Sequence, residues 1–263
     1  MDNTIEVKNI TKTFRLSRKQ MALDKTSDKL KIAVNDVSFD AYPGEIYGLL
    51  GPNGAGKTTA MRCIATLIKP DTGRILIDGI DTTDDISVKR KMAFLTSDLK
   101  LEQNFTPNYL FTFFSGLYNI PSEKASLRKC ELFDKFGIDK YAEVKVGELS
   151  QGMKQKLSIV ISLVHDPDIL VFDEPTNGLD VVTAKLVTDY LKELKNKGKT
   201  ILISTHIMSL VAKLCDKVGV ILDGRLIISD SPENIIATYK GDDMEEAFFN
   251  ICTEYENSRR SIL

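Results

Sequence analysis

Nine consecutive residues, Gly51-Pro52-Asn53-Gly54-Ala55-Gly56-Lys57-Thr58-Thr59, constrain the fold more than any other part of the chain. They match the pattern G-x-x-x-x-G-K-[ST], whose glycines let the backbone curl until successive N–H groups face the oxygens of a phosphate. The pattern has physical meaning only between a strand and a helix, because the helix start adds the positive end of its dipole to the same anion. Both flanks are there to be read. Tyr42-Pro43-Gly44-Glu45 forms a turn signal, residues 46–50 a short buried parallel strand, and residues 58–68 a helical run. On this reading Lys57 reaches the β- and γ-phosphates of a nucleotide and Thr58 offers its hydroxyl to Mg²⁺.

A second apolar run, Ile169-Leu170-Val171-Phe172, ends in Asp173-Glu174. Parallel strands bring their C-terminal ends to the ligand crevice of an open α/β sheet, so these carboxylates should face the glycine-rich loop. Asp173 is suited to bind Mg²⁺, directly or through water, and Glu174 to polarise a water that attacks the γ-phosphate. Further strand signals at 200–204 and 218–222 alternate with helical patterns at 181–195 and 207–214, which predicts a parallel sheet flanked by helices.

The remaining patterns are added to that sheet. Residues 5–7 and 37–40 alternate like strands around a polar, Lys-rich stretch, 15–31, expected to be a long hairpin loop or a solvated ordered insertion. Strand signals recur at 74–79 and 92–95, and from Pro107 to about Val164 the pattern is helical, with Gly137 as a helix stop. Residues 244–249 suggest a small amphipathic helix, and 259–263 a frayed end. At 263 residues the chain can hold one nucleotide-binding unit, not two in tandem.

Lys and Arg (35) balance Asp and Glu (37), which argues against nucleic acid as a partner. The first residues lack the order of a signal peptide, and no apolar run approaches the ~18 residues of a spanning helix. A cytoplasmic protein that touches a membrane only through another subunit is therefore expected. The cysteines, Cys63, Cys130, Cys215 and Cys252, have no Cys-x-x-Cys spacing and read as buried thiols. A guanine-reading Asn-Lys-x-Asp is absent, since Asn196-Lys197-Gly198-Lys199 lacks its acid.

Leu149-Ser150-Gln151-Gly152-Met153 resembles the L-S-G-G-Q signature of ABC ATPases, and the resemblance extends over nearly the whole chain. Pro175-Thr176-Asn177-Gly178-Leu179-Asp180 looks like that family's D-loop. His206, in Ser204-Thr205-His206, looks like its switch histidine, in contact with the γ-phosphate. Phe14 falls where the family stacks an aromatic ring on adenine. His165, the other histidine, is assigned no catalytic role.

The resemblance implies a P-loop NTPase (RecA-like) parallel-sheet core with an antiparallel β subdomain and an inserted α-helical subdomain. The core and β subdomain would take residues 1–98 and 166–240, the helical subdomain with the signature 99–165, and a C-terminal tail 241–263. It implies ATP and Mg²⁺ as cofactors and a head-to-tail homodimer, in which Ser150, Gln151, Gly152 and Asp180 of one subunit meet the ATP of the other. It also implies integral membrane permease subunits as partners. The branch it resembles contains sodium-extruding and antibiotic-resistance exporters, with sodium export as first choice.

Two departures stand out. The family's Q-loop glutamine is replaced near 94–98, leaving Ser97 or Asp98 as the candidate metal contact, with Gln103 further along. In the signature, Gln151 replaces a glycine and Met153 a glutamine. Long coiled coils, which mark chromosome-organising relatives, are missing.

Overall fold

In the computed structural model the described residues are 4–23, 27–96 and 101–260. Two long strands come first, β1 (Ile5–Arg15) and β2 (Leu30–Ala41), with helix α1 (Arg18–Leu23) between them in sequence. Both strands outrun the alternation at 5–7 and 37–40, for a physical reason. The β1–β2 register shifts three times along the pair, and Asn9 and Asp36 take left-handed φ of 49° and 56°. Each bulge flips the side-chain phase, so a strict period of two does not persist. The Lys-rich stretch 15–31 thus contains a helix and the ends of two paired strands as well as loop.

Strand β3 (Ile46–Leu50), wholly buried, leads through the glycine-rich loop into α2 (Lys57–Ile64). The helix is shorter than 58–68: it stops at Ala65, and Thr66 turns the chain with a left-handed φ of 59°. After it come β4 (Thr72–Ile77), β5 (Ile80–Asp81), α3 (Asp85–Lys91) and β6 (Met92–Leu95). Helices α4 (Pro107–Leu117), α5 (Ser122–Phe136) and α6 (Gln151–Ser162) make up the helical region expected from 107 onward. Thr106 caps α4 by accepting from Tyr109 N (3.2 Å), Pro107 sits at its first turn, and Gly137 closes α5 with a φ of 66°.

The chain returns to the sheet with β7 (Ile169–Asp173), α7 (Val181–Asn196), β8 (Thr200–Thr205), α8 (Met208–Leu214), β9 (Lys217–Leu222) and β10 (Arg225–Asp230). It then runs through α9 (Pro232–Thr238) and α10 (Met244–Arg260). Strand β10 has no counterpart among the strands expected from sequence. The helix expected at 244–249 is in fact 17 residues long, so Arg259 is helical, and 261–263 lie outside the described residues.

The four-stranded sheet has the order β2-β1-β4-β5 and is antiparallel. The six-stranded sheet has the order β10-β9-β3-β8-β7-β6, parallel except for β10 at its edge. This order places β3 beside β8, and β8 beside β7, so the segments that follow these three strands emerge side by side. One apolar cluster lies between the two sheets and around α2; the other joins the opposite face of the large sheet to α4–α8 and α10. The helical region is seated on α7 by Phe136, whose ring meets Tyr190 edge-on at 5.2 Å, and by Lys135, which bonds Glu193 at 2.7 Å. Truncating a buried phenylalanine of this kind costs about 3–5 kcal/mol.

Candidate nucleotide site

Backbone geometry dictates glycine at two points of the loop after β3. A Cβ on Gly51 would lie 2.3 Å from Ile221 O, and one on Gly56, whose φ is +109°, would lie 2.2 Å from Ala33 O. The loop is also tied to the β9–β10 turn, since Gly224 N donates to Ala55 O at 2.8 Å. Lys57, the first residue of α2, is only 5% exposed and folds back over the loop, donating from Nζ to Gly51 O (2.7 Å) and Pro52 O (3.1 Å). Burial pulls its pKa below the ordinary lysine range, against the opposing pull of Glu174 and Asp173.

Asp173 ends β7 with 2% of its surface exposed, and its Oδ1 accepts a hydrogen bond from Ser204 Oγ, on β8. Glu174 follows in a left-handed conformation, φ 51°, an uncommon state for a non-glycine residue that surrounding structure must hold in place. The restraints are visible: Glu174 N donates to both Ser204 O and Ser204 Oγ, each at 3.1 Å. The carboxylate is thereby turned so that Oε1 lies 3.1 Å from His206 Nδ1 and 3.9 Å from Lys57 Nζ. When Nδ1 carries the ring hydrogen, it donates to the Glu174 carboxylate in that contact.

A cleft of about 370 Å³ opens beside Lys57 and Glu174, lined by these two with Phe14, Asn53, Gly54 and Thr58 among others, while Asp173 and His206 are not among its lining residues. Gly56 and Thr59 of the glycine-rich loop border it too, and so do five residues not expected at the site from the sequence: Lys31, Ile32, Ala33, Asp223 and Gly224. For Asp223-Gly224 a signal existed, because an Asp-Gly pair between two apolar runs marks a tight hairpin turn. Lys31 ends the stretch 15–31 that reads as a solvated insertion, and Ile32 and Ala33 carry no signal of their own, since bulges in β1 and β2 set their position.

Ser150, Gln151, Gly152 and Asp180 are not among the residues lining this cleft; they gather elsewhere on the surface. Ser150 caps α6 by accepting from Met153 N (3.3 Å), Gln151 opens that helix, and both are exposed. Asp180 caps α7, accepting from Val182 N and Thr183 N at 3.0 Å, and its Oδ2 lies 4.0 Å from the point where Gly152 would carry a Cβ. Ser97 and Asp98 lie outside the described residues. Gln103 accepts from Gly147 N through its backbone carbonyl (2.9 Å) and does not line the cleft. His165 stacks on Tyr118 with ring centres 3.9 Å apart, and burial pushes its pKa down to about 4.

Among the described residues no group of three or more His, Cys, Asp or Glu is arranged to hold a metal ion. Thr58 and Asp173 nevertheless supply hard oxygen donors of the kind Mg²⁺ takes, and Mg²⁺ commonly binds through one or two carboxylates, waters and the phosphates of a substrate. The donor set therefore fits Mg²⁺ arriving with a nucleotide.

A fold that brings a phosphate-cradling loop and the ends of two neighbouring parallel strands to one crevice defines the class of P-loop NTPases. A family profile described as ABC transporter matches residues 34–177. The ABC transporter ATP-binding protein NatA of Bacillus subtilis is 38% identical over 227 residues, which cover 85% of this chain and 92% of the relative. The Nod factor export ATP-binding protein I of Burkholderia orbicola is 38% identical over 219 residues, 83% of this chain and 72% of the relative. An ATP-binding cassette solved as a dimer in a post-hydrolysis state with ADP and Pi matches with a TM-score of 0.75 at 25% identity. It covers 86% of this chain and 98% of the other. The chain belongs to the ABC transporter family, as one of its ATP-binding ATPase subunits.

Proposed function

We propose that this chain hydrolyses ATP at the cleft above Lys57 and uses the cycle to drive export through a separate integral membrane permease. The observation that carries this reading is the position of Glu174, whose Oε1 sits between Lys57 and His206 at the wall of the cleft that the glycine-rich loop also lines. In this reading residues 51–59 cradle the phosphates, Lys57 meets the β- and γ-oxygens, and Phe14 stacks on adenine. Thr58 and Asp173 would hold Mg²⁺, which when bound offsets charge on the phosphates. Glu174 accepts the proton of the attacking water while the β–γ phosphoanhydride bond breaks, giving ADP and phosphate. His206 fixes the Glu174 carboxylate through Nδ1 and faces the γ-phosphate.

The second half of the site comes from another copy. Ser150 is exposed at the start of α6, where a helix end favours an anion, and it is not among the residues lining the cleft of its own subunit. A head-to-tail homodimer over two ATP would supply that anion, with Gln151, Gly152 and Asp180 at the same seam. Closure would then follow from a triphosphate that binds the closed form better than the open one.

No described helix is long and apolar enough to cross a membrane, which fits a peripheral subunit on the inner face of the cell membrane. An exposed apolar stripe supports the permease contact: Phe105, Tyr109, Phe113 and Leu117 recur every four residues along α4 and the turn before it. Neighbouring rings lie 4.5 and 6.4 Å apart, and a patch of this kind marks an interaction surface. For the cargo we propose sodium ions, on the resemblance of residues 94–110, the signature and 244–249 to that exporter branch. The test of the core reading is phosphate release: the parent chain turns over MgATP, whereas Glu174→Gln binds it with similar affinity and is slower by roughly 10²-fold or more. Equal turnover in the two proteins removes Glu174 from the role of base.

A further inference from the structure

Asp223 is one of the two acidic residues lining the cleft read as a polyphosphate site, and an uncompensated negative charge there works against the ligand. It lies in the β9–β10 turn, with left-handed φ values of 46° at Asp223 and 79° at Gly224. The turn is fixed rather than free to swing away. Gly224 N donates to Ala55 O within the phosphate loop, and Asn35 N donates to Gly224 O, both at 2.8 Å. Asp223 and Gly224 line the cleft together with Phe14, Lys57 and Glu174. Of the two carboxylates there, Glu174 already faces Lys57 and His206.

Asp223 is faced from a different direction. Helix α10 is anchored at its first turns by Met244, Ala247, Phe248 and Ile251, all buried, and runs on until Arg259 Nη1 pairs with Asp223 Oδ2. The guanidinium also lies 5.9 Å from the centre of the Tyr255 ring, one turn back on the same helix. Both charged side chains are more than half exposed, at 64% and 60%. The pair therefore adds little to folding stability, but either charge left without the other would act on a ligand within about one Debye length, ~8 Å at physiological salt.

We propose that Arg259 neutralises Asp223 at the rim of the nucleotide cleft, so that the C-terminal helix sets the affinity of the site for polyphosphate. Arg259 is a positioning and charge-balancing residue here, not a catalytic one, and the inference rests on the nucleotide reading of the cleft. It makes the far end of α10 a control point: any partner or modification that draws Arg259 away leaves Asp223 facing the phosphates.

The test is MgATP binding to the full chain by calorimetry, at about 0.02 M and about 0.5 M salt. Arg259→Ala is expected to bind roughly three-fold more weakly at low salt and to approach the parent at high salt, as expected for a rim charge. Asp223→Asn placed on Arg259→Ala should restore affinity to within about two-fold of the parent, because the charge that Arg259 balances is then gone. Arg259→Lys should stay at the parental value. Unchanged affinity in Arg259→Ala overturns the proposal, and so does a loss that Asp223→Asn cannot rescue, which points to displacement of α10 instead. A parent chain that binds no MgATP defeats the nucleotide reading itself, an outcome distinct from either.

Discussion

Replacing Ser204 by alanine removes a hydroxyl that two buried groups share. Its Oγ donates to Asp173 Oδ1 and accepts from Glu174 N at 3.1 Å, while Ser204 and Asp173 are 0% and 2% exposed. The two losses are unequal. Glu174 N keeps a second acceptor, Ser204 O, at 3.1 Å, so its cost is small. The Asp173 carboxylate loses a charge-assisted bond in a nearly dry position, worth about 1.5–3 kcal/mol. A drop of about 2 kcal/mol, close to 30-fold in the unfolding equilibrium, is expected by urea titration with an unchanged slope. Because the hydroxyl also fixes the carboxylate proposed to hold Mg²⁺, the Mg²⁺ concentration needed for half-maximal ATP binding should rise roughly ten-fold, the usual effect of losing an outer-shell partner. A stability change below about 0.5 kcal/mol together with an unaltered Mg²⁺ requirement would refute the reasoning, since it would mean that neither buried partner depends on Ser204.

Lys57→Ala should weaken MgATP binding at least ten-fold by calorimetry, having removed the ammonium proposed to meet the phosphates, and unaltered affinity would contradict the phosphate-loop assignment. Gly56→Val should cost about 3 kcal/mol or more in urea unfolding, because its Cβ meets Ala33 O at 2.2 Å in a left-handed backbone; parental stability would show that the loop conformation is different. His165 is expected to make stability depend on pH. Its folded pKa, about 4, lies below the unfolded value of 6.5, so the unfolded chain binds the extra proton and stability falls as pH drops from 6.5 through 4. His165→Phe should remove roughly 2 kcal/mol of that pH-dependent loss, after allowance for partial exposure, and identical pH profiles would show that His165 does not cause it.

Much of the site was legible because its parts are local. The phosphate loop between a strand and a helix, the acids ending β7 and the histidine after β8 each depend on a few consecutive residues and on which strand they follow. What escaped depends on contacts between distant segments. Bulges at Asn9 and Asp36 break the period of two along β1 and β2, hiding the strands that carry Lys31 to Ala33 to the cleft. Strand β10 is a half-exposed edge strand with a register shift between Leu226 and Ile228, so its pattern is weak. Helix α10 looked short because its second half, from Glu254 onward, is mostly polar and exposed; its buried residues cluster before Cys252. The bond from Ser204 to Asp173 joins residues 31 apart in sequence and has no local signature.

In the proposed dimer one triphosphate is held from both sides, by residues 51–59 of one subunit and by the start of α6 of its twin. The most direct measurement is the mass of the Glu174→Gln chain by light scattering after size exclusion, with and without MgATP. A shift from 29.4 kDa to about twice that value is expected only when MgATP is present, and its loss when Ser150→Arg is added. A chain that stays monomeric with ATP bound, or a dimer indifferent to Ser150, would contradict it.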